Sequence, residues 1–327
     1  MKAIIKDRYG GPDVLHIGEV DRPEVGPEQV LVRVHASAAN AHDWHMLRGK
    51  PYLARLSEGF RRPKERELGL DVAGVVEAVG AEVTDLAPGD RVFGSRYGAY
   101  AEYVSGKNFV PMPAGLSFEQ AAAIPVAGLT ALQGLRDKGG LEAGQKVLIN
   151  GAGGGVGTMA VQIAKALGAE VTAVTTERAA AVMRSIGADH VIDRSREDFT
   201  RGTARYDLIL DIGGRPSLRA MRRVLAPNGR IVMVAPQPGQ WIGPVARIVG
   251  AVVTSKLSDR KAIAYLSQVN RDDLRTLAEL VEAGKLTPVI DRTYTFEQIP
   301  EAISYLESGQ ARGKVVIRFI PSEGGAS

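Results

Sequence analysis

The composition of the 327-residue chain excludes several kinds of site before any motif is considered. It has no cysteine, which rules out disulfide bonds, cysteine-ligated zinc or iron–sulfur centres, and a thiol nucleophile. Its net charge is only +4, with acids and bases interleaved, which indicates solubility rather than nucleic-acid binding. It has no run of about 20 apolar residues to predict a membrane span, and charges at Lys2 and Lys6 argue against a secretory signal. We therefore expect a cytoplasmic protein without membrane or nucleic-acid partners, long enough for two domains of roughly 100–200 residues each.

The first third of the chain predicts short β-strands. Runs rich in β-branched residues occupy 29–36, 71–80 and 97–104 and are bounded by glycine and proline. Gly74, inside the second run, predicts a β-bulge or a bend. Together these features predict a partly open β-barrel.

From Ser117 onward the pattern changes to alternating strands and helices. Ser117 and Gln120 have the spacing of a capping box, which predicts a helix start. Buried strands are then predicted at 146–150, 170–175, 190–192, 206–211 and 229–234. This alternation predicts a parallel, doubly wound sheet, so the fold class is α/β. The segment 272–317 departs from the alternation and ends in a strand, 313–317, that we expect to return to the first domain.

The sequence NGAGGGVG at 150–157 lies between a predicted buried strand and a predicted amphipathic helix. This context is that of a dinucleotide-binding turn, with alanine at the first glycine position of the GxGxxG pattern. Gly154 lets the backbone approach a pyrophosphate, and Gly157 lets the helix pack closely on the strand. A glycine-rich structural turn and an S-adenosylmethionine site remain as alternatives. The residues predicted to hold the cofactor here are Ala152, Gly153, Gly154, Gly155, Val156 and Gly157.

The residues that follow the next predicted strand favour NADPH over NADH. An acidic residue that binds the ribose of NAD is expected about 20 residues past the glycine turn. Thr175 and Thr176 stand there instead, followed by Glu177 and Arg178. Two hydroxyls and a guanidinium suit the 2′-phosphate of NADPH, whereas Glu177 leaves NADH as an alternative.

Four further segments resemble the medium-chain dehydrogenase/reductase superfamily, and within it the zinc-free quinone oxidoreductase-like branch. They are NAHDW at 40–44, GLDVAG at 69–74, PGDRV at 88–92 and AIPVAGLTA at 123–131. The resemblance covers nearly the whole chain. It implies a GroES-like, partly open β-barrel catalytic domain at 1–124 and 269–327, and a Rossmann dinucleotide-binding domain at 125–268.

The positions that bind zinc in metal-dependent members of this superfamily carry other residues here. Asn40 stands where those enzymes have a cysteine, and Leu70 and Asp71 stand where they have a histidine and a glutamate. We therefore predict no metal. In the alternative, His42 and His45 lie one helical turn apart and are the residues that a metal would use.

The resemblance also implies catalytic positions. It places Asn40 in the catalytic cleft and Thr130 beside the nicotinamide. Tyr52 is close to the position of a tyrosine that many family members keep in the pocket, and it is predicted to donate a proton to the substrate. The alternative for Tyr52 is a loop aromatic packed on the protein.

Arg194 and Lys314 are two further candidates for cofactor binding. Arg194 departs from the family pattern, which often has a tyrosine at this position, and we predict that its guanidinium contacts the 2′-phosphate or adenine. The resemblance implies that Lys314 lies near the cofactor. The alternative for both is a surface position. The charge-mixed segment 53–67 is predicted to be a solvated loop, and the apolar segment 241–253 a pocket wall or a dimer contact.

These features predict an NADPH-dependent oxidoreductase that transfers a hydride to a quinone or an α,β-unsaturated carbonyl without zinc. In the absence of a Lewis acid, hydrogen-bond donors must stabilise the developing negative charge, which favours such acceptors over simple alcohols. We also expect a homodimer acting on a small molecule. Alternatives are a non-catalytic, crystallin-like NADPH-binding protein, a zinc-independent alcohol or aldehyde oxidoreductase, and a methyltransferase.

Overall fold

The computed structural model describes residues 1–50, 52, 55–234 and 260–319. The predicted pocket wall or dimer contact at 241–253 lies outside these residues. The chain forms two compact units. The first contains residues 1–126, 269–282 and 290–327, and the second contains 127–268 and 283–289.

The first unit is built on a seven-stranded sheet with the strand order β14-β15-β3-β4-β5-β7, in which β6 also pairs with β3. A separate antiparallel pair is formed by β1 and β2. The last strand, β15, pairs with β3 in antiparallel fashion, which confirms the predicted return of the chain to the first domain. The strands of this unit are β1 (Lys2–Lys6), β2 (Leu15–Glu19), β3 (Val30–Ala39), β4 (Asp71–Val79), β5 (Arg91–Ser95), β6 (Tyr103–Gly106), β7 (Phe109–Pro111), β14 (Ile290–Thr295) and β15 (Lys314–Arg318).

A β-bulge occurs where Gly74 predicted one. Val34 pairs with Gly74 and Ala36 pairs with Ala73, so His35 is the extra residue of β3. A Cβ on Gly74 would lie 2.1 Å from the carbonyl oxygen of Arg33, so only glycine fits this close approach. By contrast, the strand predicted at 97–104 is wrong over most of its length, because a turn at Gly98 with φ +87° delays the strand until Tyr103.

The helices of the first unit are short. The structure confirms the capping box at Ser117, whose hydroxyl accepts the N–H of Gln120 while the Gln120 side chain accepts the N–H of Ser117. The helices are α1 (Ala41–Arg48), α2 (Arg55–Glu58), α3 (Phe118–Ala122), α8 (Arg271–Glu282) and α9 (Ile299–Glu307). Helix α4 (Pro125–Leu132) crosses a boundary between the units along the chain. Its first two residues belong to the first unit, and the rest belong to the second.

The second unit is a parallel six-stranded sheet with the order β10-β9-β8-β11-β12-β13, which confirms the predicted doubly wound sheet. Its strands are β8 (Lys146–Asn150), β9 (Glu170–Thr175), β10 (His190–Asp193), β11 (Tyr206–Asp211), β12 (Leu225–Met233) and β13 (Lys261–Ala264). Its helices are α5 (Gly155–Ala166), α6 (Glu177–Ser185) and α7 (Leu218–Arg223). The order reverses between β8 and β11, and ligands of such sheets bind at the carboxyl ends of the strands at this point.

One short segment packs in a different unit from the one that the predicted domain boundaries gave it. Residues 283–289 belong to the second unit, although the predicted boundary placed them in the barrel domain. The side-chain amide of Gln162 explains this, since it accepts the N–H of Thr287 at 2.9 Å and donates to its carbonyl at 3.0 Å. In the described part of the chain, no helix is both long and apolar enough to cross a membrane.

Candidate active site

The turn between β8 and α5 has the shape that its glycines predict. Gly151 has φ +89°, and Gly154 is the N-cap of α5. A Cβ on Gly157 would lie 2.4 Å from the carbonyl oxygens of Gly151 and Ala152, so only glycine allows the helix to sit this close to the turn. A Cβ on Gly154 would meet no atom closer than 3.8 Å, so there is open space above it.

Two residues of the turn, Ala152 and Gly157, are buried, and those between them form an accessible rim at 153–156. Ala152 and Gly157 are buried, and the N–H of Ala152 is used in a 3.1 Å hydrogen bond to the carbonyl of Val174. Residues 153–156 are only partly buried and include the first residues of α5. The first N–H groups of a helix have no intrahelical acceptor and favour an anion, so this rim fits the pyrophosphate of a dinucleotide.

Two polar side chains at strand ends, Asn150 and Asp211, hold neighbouring loops together at the point where the strand order reverses. The Asn150 amide donates to the Asp211 carboxylate at 2.7 Å, and the N–H of Gly214 donates to the same oxygen at 3.0 Å. The N–H groups of Ile212 and Gly213 donate to the carbonyl of Asn150. The sequence analysis missed Asp211; its signal was a polar residue at the carboxyl end of a buried parallel strand.

The residues predicted to discriminate NADPH from NADH lie at the end of β9, at the start of α6 and directly after β10. Thr175 is buried, and its hydroxyl lies 2.4 Å from where a Cβ on Gly153 would be, so this strand end packs against the glycine turn. Thr176 is partly buried, and Arg178 is exposed. The exposed Arg194 is anchored by its N–H, which donates to the carbonyl of Thr175 at 2.9 Å.

Arg196 was not predicted and changes the electrostatics of this region. Its guanidinium lies 3.0 Å from the carboxylate of Glu177 and 3.6 Å from that of Asp193. Hydrogen bonds from the N–H and hydroxyl of Ser195 lower the pKa of Asp193, so it stays ionised. Arg196 therefore offsets the negative charge of Glu177, which is the residue that kept NADH as an alternative cofactor.

In the first unit, Asn40, Asp71 and Lys314 form a buried ionic network. The Lys314 ammonium donates to the Asn40 Oδ1 at 2.8 Å and to the Asp71 Oδ2 at 2.9 Å, and it is only 3% exposed. The Asn40 amide nitrogen donates to Asp71 at 2.9 Å and to the carbonyl of Ala38 at 3.0 Å. The other oxygen of Asp71 accepts the N–H of Val126 at 2.8 Å, so each charged group in the network has more than one hydrogen-bond partner.

The network continues into the first turn of α1 through Asp43. This carboxylate accepts the N–H of Asn40 at 2.7 Å, the Tyr100 hydroxyl at 2.9 Å and the N–H of Gly69 at 3.2 Å. Burial raises the pKa of Asp43 to about 6; the nearby carboxylate of Asp71 adds to the rise, while the hydrogen bonds from Asn40 and Tyr100 oppose it. Asp43 and Tyr100 were not predicted as site residues, because the hydrogen bonds that Asp43 accepts from Gly69 and Tyr100 join residues distant in sequence.

The network alters the interpretation of two predicted residues. Both amide hydrogens of Asn40 are donated inside the protein, so its side chain orients neighbouring groups rather than presenting a free donor. The Lys314 ammonium does not lie at the surface, where the alternative interpretation put it, but between Asn40 and Asp71.

Tyr52 and Thr130 also have defined surroundings. Tyr52 is partly buried, and the guanidinium of Arg55 stands over its ring at 4.8 Å. Thr130, in α4, is buried in the second unit, and its hydroxyl shares a 3.0 Å hydrogen bond with that of Ser267. The Tyr265 hydroxyl donates to the Thr130 carbonyl. Ser267 was missed because it lies in an irregular segment with no motif.

The two histidines considered as metal ligands, His42 and His45, each contact an aromatic ring. His45 stacks on Trp44 with 3.6 Å between ring centroids, and His42 stands edge-on to Tyr97 at 6.3 Å. Over residues 1–50, 52, 55–234 and 260–319, no group of three or more histidine, cysteine, aspartate or glutamate side chains has the spacing to hold a metal ion.

Comparison with known proteins identifies the family. Residues 26–114 match the family described as alcohol dehydrogenase GroES-like domain, and residues 186–317 match the one described as zinc-binding dehydrogenase. These matches, with the relatives below, show that the chain belongs to the medium-chain dehydrogenase/reductases of the quinone oxidoreductase branch, a family of oxidoreductase enzymes. The predicted fold class, a GroES-like domain joined to a Rossmann-like parallel sheet, is thereby confirmed.

Particular relatives resemble the chain over nearly its whole length. The mitochondrial NAD(P)H oxidoreductase RTN4IP1 of Mus musculus is 34% identical over 98% of this chain and 89% of its own length. The 2-methylene-furan-3-one reductase of Solanum lycopersicum is 34% identical over 98% of this chain and 80% of its own. The structure of the quinone oxidoreductase from Coxiella burnetii matches with a TM-score of 0.86 and 32% identity, covering 97% of this chain and 99% of that one.

The raised pKa of Asp43 predicts a pH-dependent contribution to stability. A carboxyl group whose pKa rises from 3.8 to about 6 on folding stabilises the fold below pH 3.8, and this contribution is lost as the pH rises through 6. Between pH 4 and 7, the unfolding free energy of the wild type should therefore fall relative to that of Asp43→Asn by about 2 kcal/mol. Urea unfolding across this range measures the difference. Asp189→Asn is the control, because the pKa of Asp189 is lowered, so its contribution is lost mainly below pH 4 and should change little over this range.

The buried ion pair predicts strong coupling between Lys314 and Asp71. Lys314→Met leaves a buried carboxylate without its cation and should cost about 3–5 kcal/mol of unfolding free energy. Adding Asp71→Asn should recover part of this loss, because the isolated charge is then removed. Lys146→Met, which breaks an exposed pair with Glu170 at 3.4 Å, should cost no more than about 1 kcal/mol. Additive losses in the double variant, measured by urea unfolding, would contradict the coupling.

Proposed function

We propose that the protein is an NADPH-dependent oxidoreductase that transfers a hydride to a quinone or an α,β-unsaturated carbonyl without zinc. The glycine turn is the observation that carries the proposal. The space next to Gly154 is open, and Gly157 lets α5 pack closely on the turn, so backbone groups at the helix N-terminus can bind a pyrophosphate. The names of the relatives support the acceptor class. One is a quinone oxidoreductase, and the Solanum enzyme is named for a furanone with a conjugated methylene group, which is an α,β-unsaturated ketone.

We propose that the cofactor is held by the glycine turn and by the ends of β9 and β10. Residues 152–157 would contact the pyrophosphate, and Thr175, Thr176, Arg178 and Arg194 would surround the 2′-phosphate. The pairing of Glu177 with Arg196 supports NADPH over NADH, because an offset carboxylate repels a 2′-phosphate less. When bound, the reduced nicotinamide supplies the hydride.

The chain's own contribution to the reaction is then to position groups and to deliver a proton. We propose that Tyr52 donates a proton to the acceptor and that Thr130 contacts the nicotinamide. Asn40 acts as a positioning residue, with Lys314 holding its amide in the buried network rather than binding the cofactor directly. The lack of cysteine, with asparagine and leucine at two positions that ligate zinc in metal-dependent relatives, supports a reaction without zinc.

We further propose the domain roles, the assembly and the location that the sequence predicts. The catalytic domain is 1–124 with 269–282 and 290–327, and the Rossmann domain is 125–268 with the segment 283–289 that packs in the second unit. The enzyme is a cytoplasmic homodimer whose partner is a small carbonyl or quinone substrate rather than a nucleic acid or a membrane.

The proposal predicts NADPH consumption with conjugated acceptors. Purified protein should oxidise NADPH, followed by its absorbance, with quinones and enones, and faster than with saturated aldehydes. A chelator should leave the rate unchanged. Tight NADPH binding without turnover on quinones, enones, enoyl thioesters and aldehydes would instead indicate a non-catalytic binding protein. Activity with an alcohol that a chelator removes and a metal restores would contradict the zinc-free reaction.

The assignment of the 2′-phosphate site predicts a cofactor-selective defect in Arg178→Ala. Removing one charged hydrogen-bond donor should raise KM for NADPH about tenfold, with little change for NADH. Arg184→Ala, an exposed arginine in the last turn of the same helix, is the matched control and should change neither value. Equal effects of Arg178→Ala on the two cofactors would refute the assignment.

A further inference from the structure

Arg55 stands between two tyrosine rings in the first unit. Its guanidinium carbon lies 4.8 Å from the ring centre of Tyr52 and 4.3 Å from that of Tyr9. A guanidinium is attracted to an aromatic face at this distance, so Arg55 constrains both rings.

The same guanidinium is fixed to the end of α1. It donates from Nε to the carbonyl of Gly49 at 2.9 Å and from Nη2 to that of Arg48 at 3.1 Å. The last carbonyls of a helix lack intrahelical donors and carry partial negative charge, so they are favourable acceptors for arginine. Gly49 is essential to this arrangement, because with φ +58° a Cβ there would lie 2.6 Å from both Arg55 and Tyr9.

Tyr9 completes the arrangement from a different part of the chain. Its hydroxyl donates to the carbonyl of Gly59 at 2.8 Å and approaches that of Glu58 at 3.2 Å. The segment that carries Tyr52 and Arg55 is therefore attached at two places, to the end of α1 and to Tyr9.

Helix α1 links this arrangement to the buried network. At its start, the N–H of the N-cap Asn40 donates to the carboxylate of Asp43, and the helix ends at Gly49, where Arg55 binds. An eight-residue helix held at both ends is a rigid spacer of roughly 12 Å.

We propose that Arg55 is the positioning residue for Tyr52. Its hydrogen bonds fix it to α1, and its planar face holds the Tyr52 ring in the orientation from which the hydroxyl reaches the acceptor. The inference rests on the proposed function, in which Tyr52 donates the proton. It assigns to Arg55, one charge of the segment 53–67, a role other than that of a solvated side chain.

A double-mutant cycle tests whether Arg55 acts through Tyr52. Tyr52→Phe should lower kcat with a quinone or enone by roughly 10²-fold, the lower end of the contribution of a positioned proton donor. Arg55→Met, which keeps an apolar stem, should lower kcat by about 10-fold, because a small misplacement of a reacting group is costly. In the Tyr52→Phe background, Arg55→Met should lower kcat by less than about twofold, since the group that it positions is already gone. KM for NADPH should not change in either variant.

Two further variants keep the test decisive. Arg55→Lys retains the charge but not the planar fork, so it should fold and have a kcat between those of the wild type and Arg55→Met. Arg22→Met removes a similar cation–aromatic contact, 4.1 Å from the ring of Tyr103, and should leave kcat unchanged.

Three outcomes would overturn the inference. These are an unchanged kcat in Tyr52→Phe, an equal loss from Arg55→Met with and without the Tyr52 hydroxyl, or full activity in folded Arg55→Met. The proposed function fails separately, if the wild-type protein does not consume NADPH with any quinone or enone.

Discussion

The ion pair between Lys314 and Asp71 is the constraint on which the first unit depends. An ammonium and a carboxylate buried to 3% and 0% exposure are tolerable only when each is paired and hydrogen-bonded. Lys314 is the first residue of β15, Asp71 is the first residue of β4, and Asn40 directly follows β3. These three strands are adjacent in the sheet. Because a slip of one residue would turn a charged side chain to the other face of the sheet, the pair also fixes the register of those strands. The carboxylate extends the constraint to the start of α4, since it accepts the N–H of Val126.

The second unit depends on a different kind of constraint, which is the close approach of backbone to backbone. Gly157 brings the start of α5 against the carbonyls of the glycine turn, and Gly153 brings that turn against Thr175. The hydrogen bond from Asn150 to Asp211 joins the loops after β8 and β11. The site of this unit is therefore formed mainly by backbone groups, whereas that of the first unit is formed by buried charges. A side chain added at Gly157 would move the helix N-terminus that the proposed function assigns to the cofactor.

Local signals accounted for much of what the sequence analysis predicted correctly. The capping box at Ser117, the bulge opposite Gly74 and the tight packing at Gly157 each depend on residues close in sequence or on the absence of a Cβ. The structure differs from the predictions at two places, for two different reasons. The strand predicted at 97–104 begins only at Tyr103, after the turn at Gly98, and residues 283–289 pack in the second unit, where Thr287 binds the amide of Gln162. Arg196 and Ser267 lie in no motif, and Asp43 lies in the NAHDW segment without having been singled out; only their neighbours in space reveal what they do.

The sequence by itself determined the family, the parallel sheet and the glycine turn, because these depend on periodicity and on residue types at short, fixed spacings. It also determined that no cysteine is available as a zinc ligand. The tertiary structure alone decided what surrounds each candidate side chain. Lys314 lies 243 residues from Asp71 and 274 from Asn40, and no local pattern indicates that the three will meet. Burial without water makes their pairing obligatory, and burial is a property of the folded chain rather than of any segment of it.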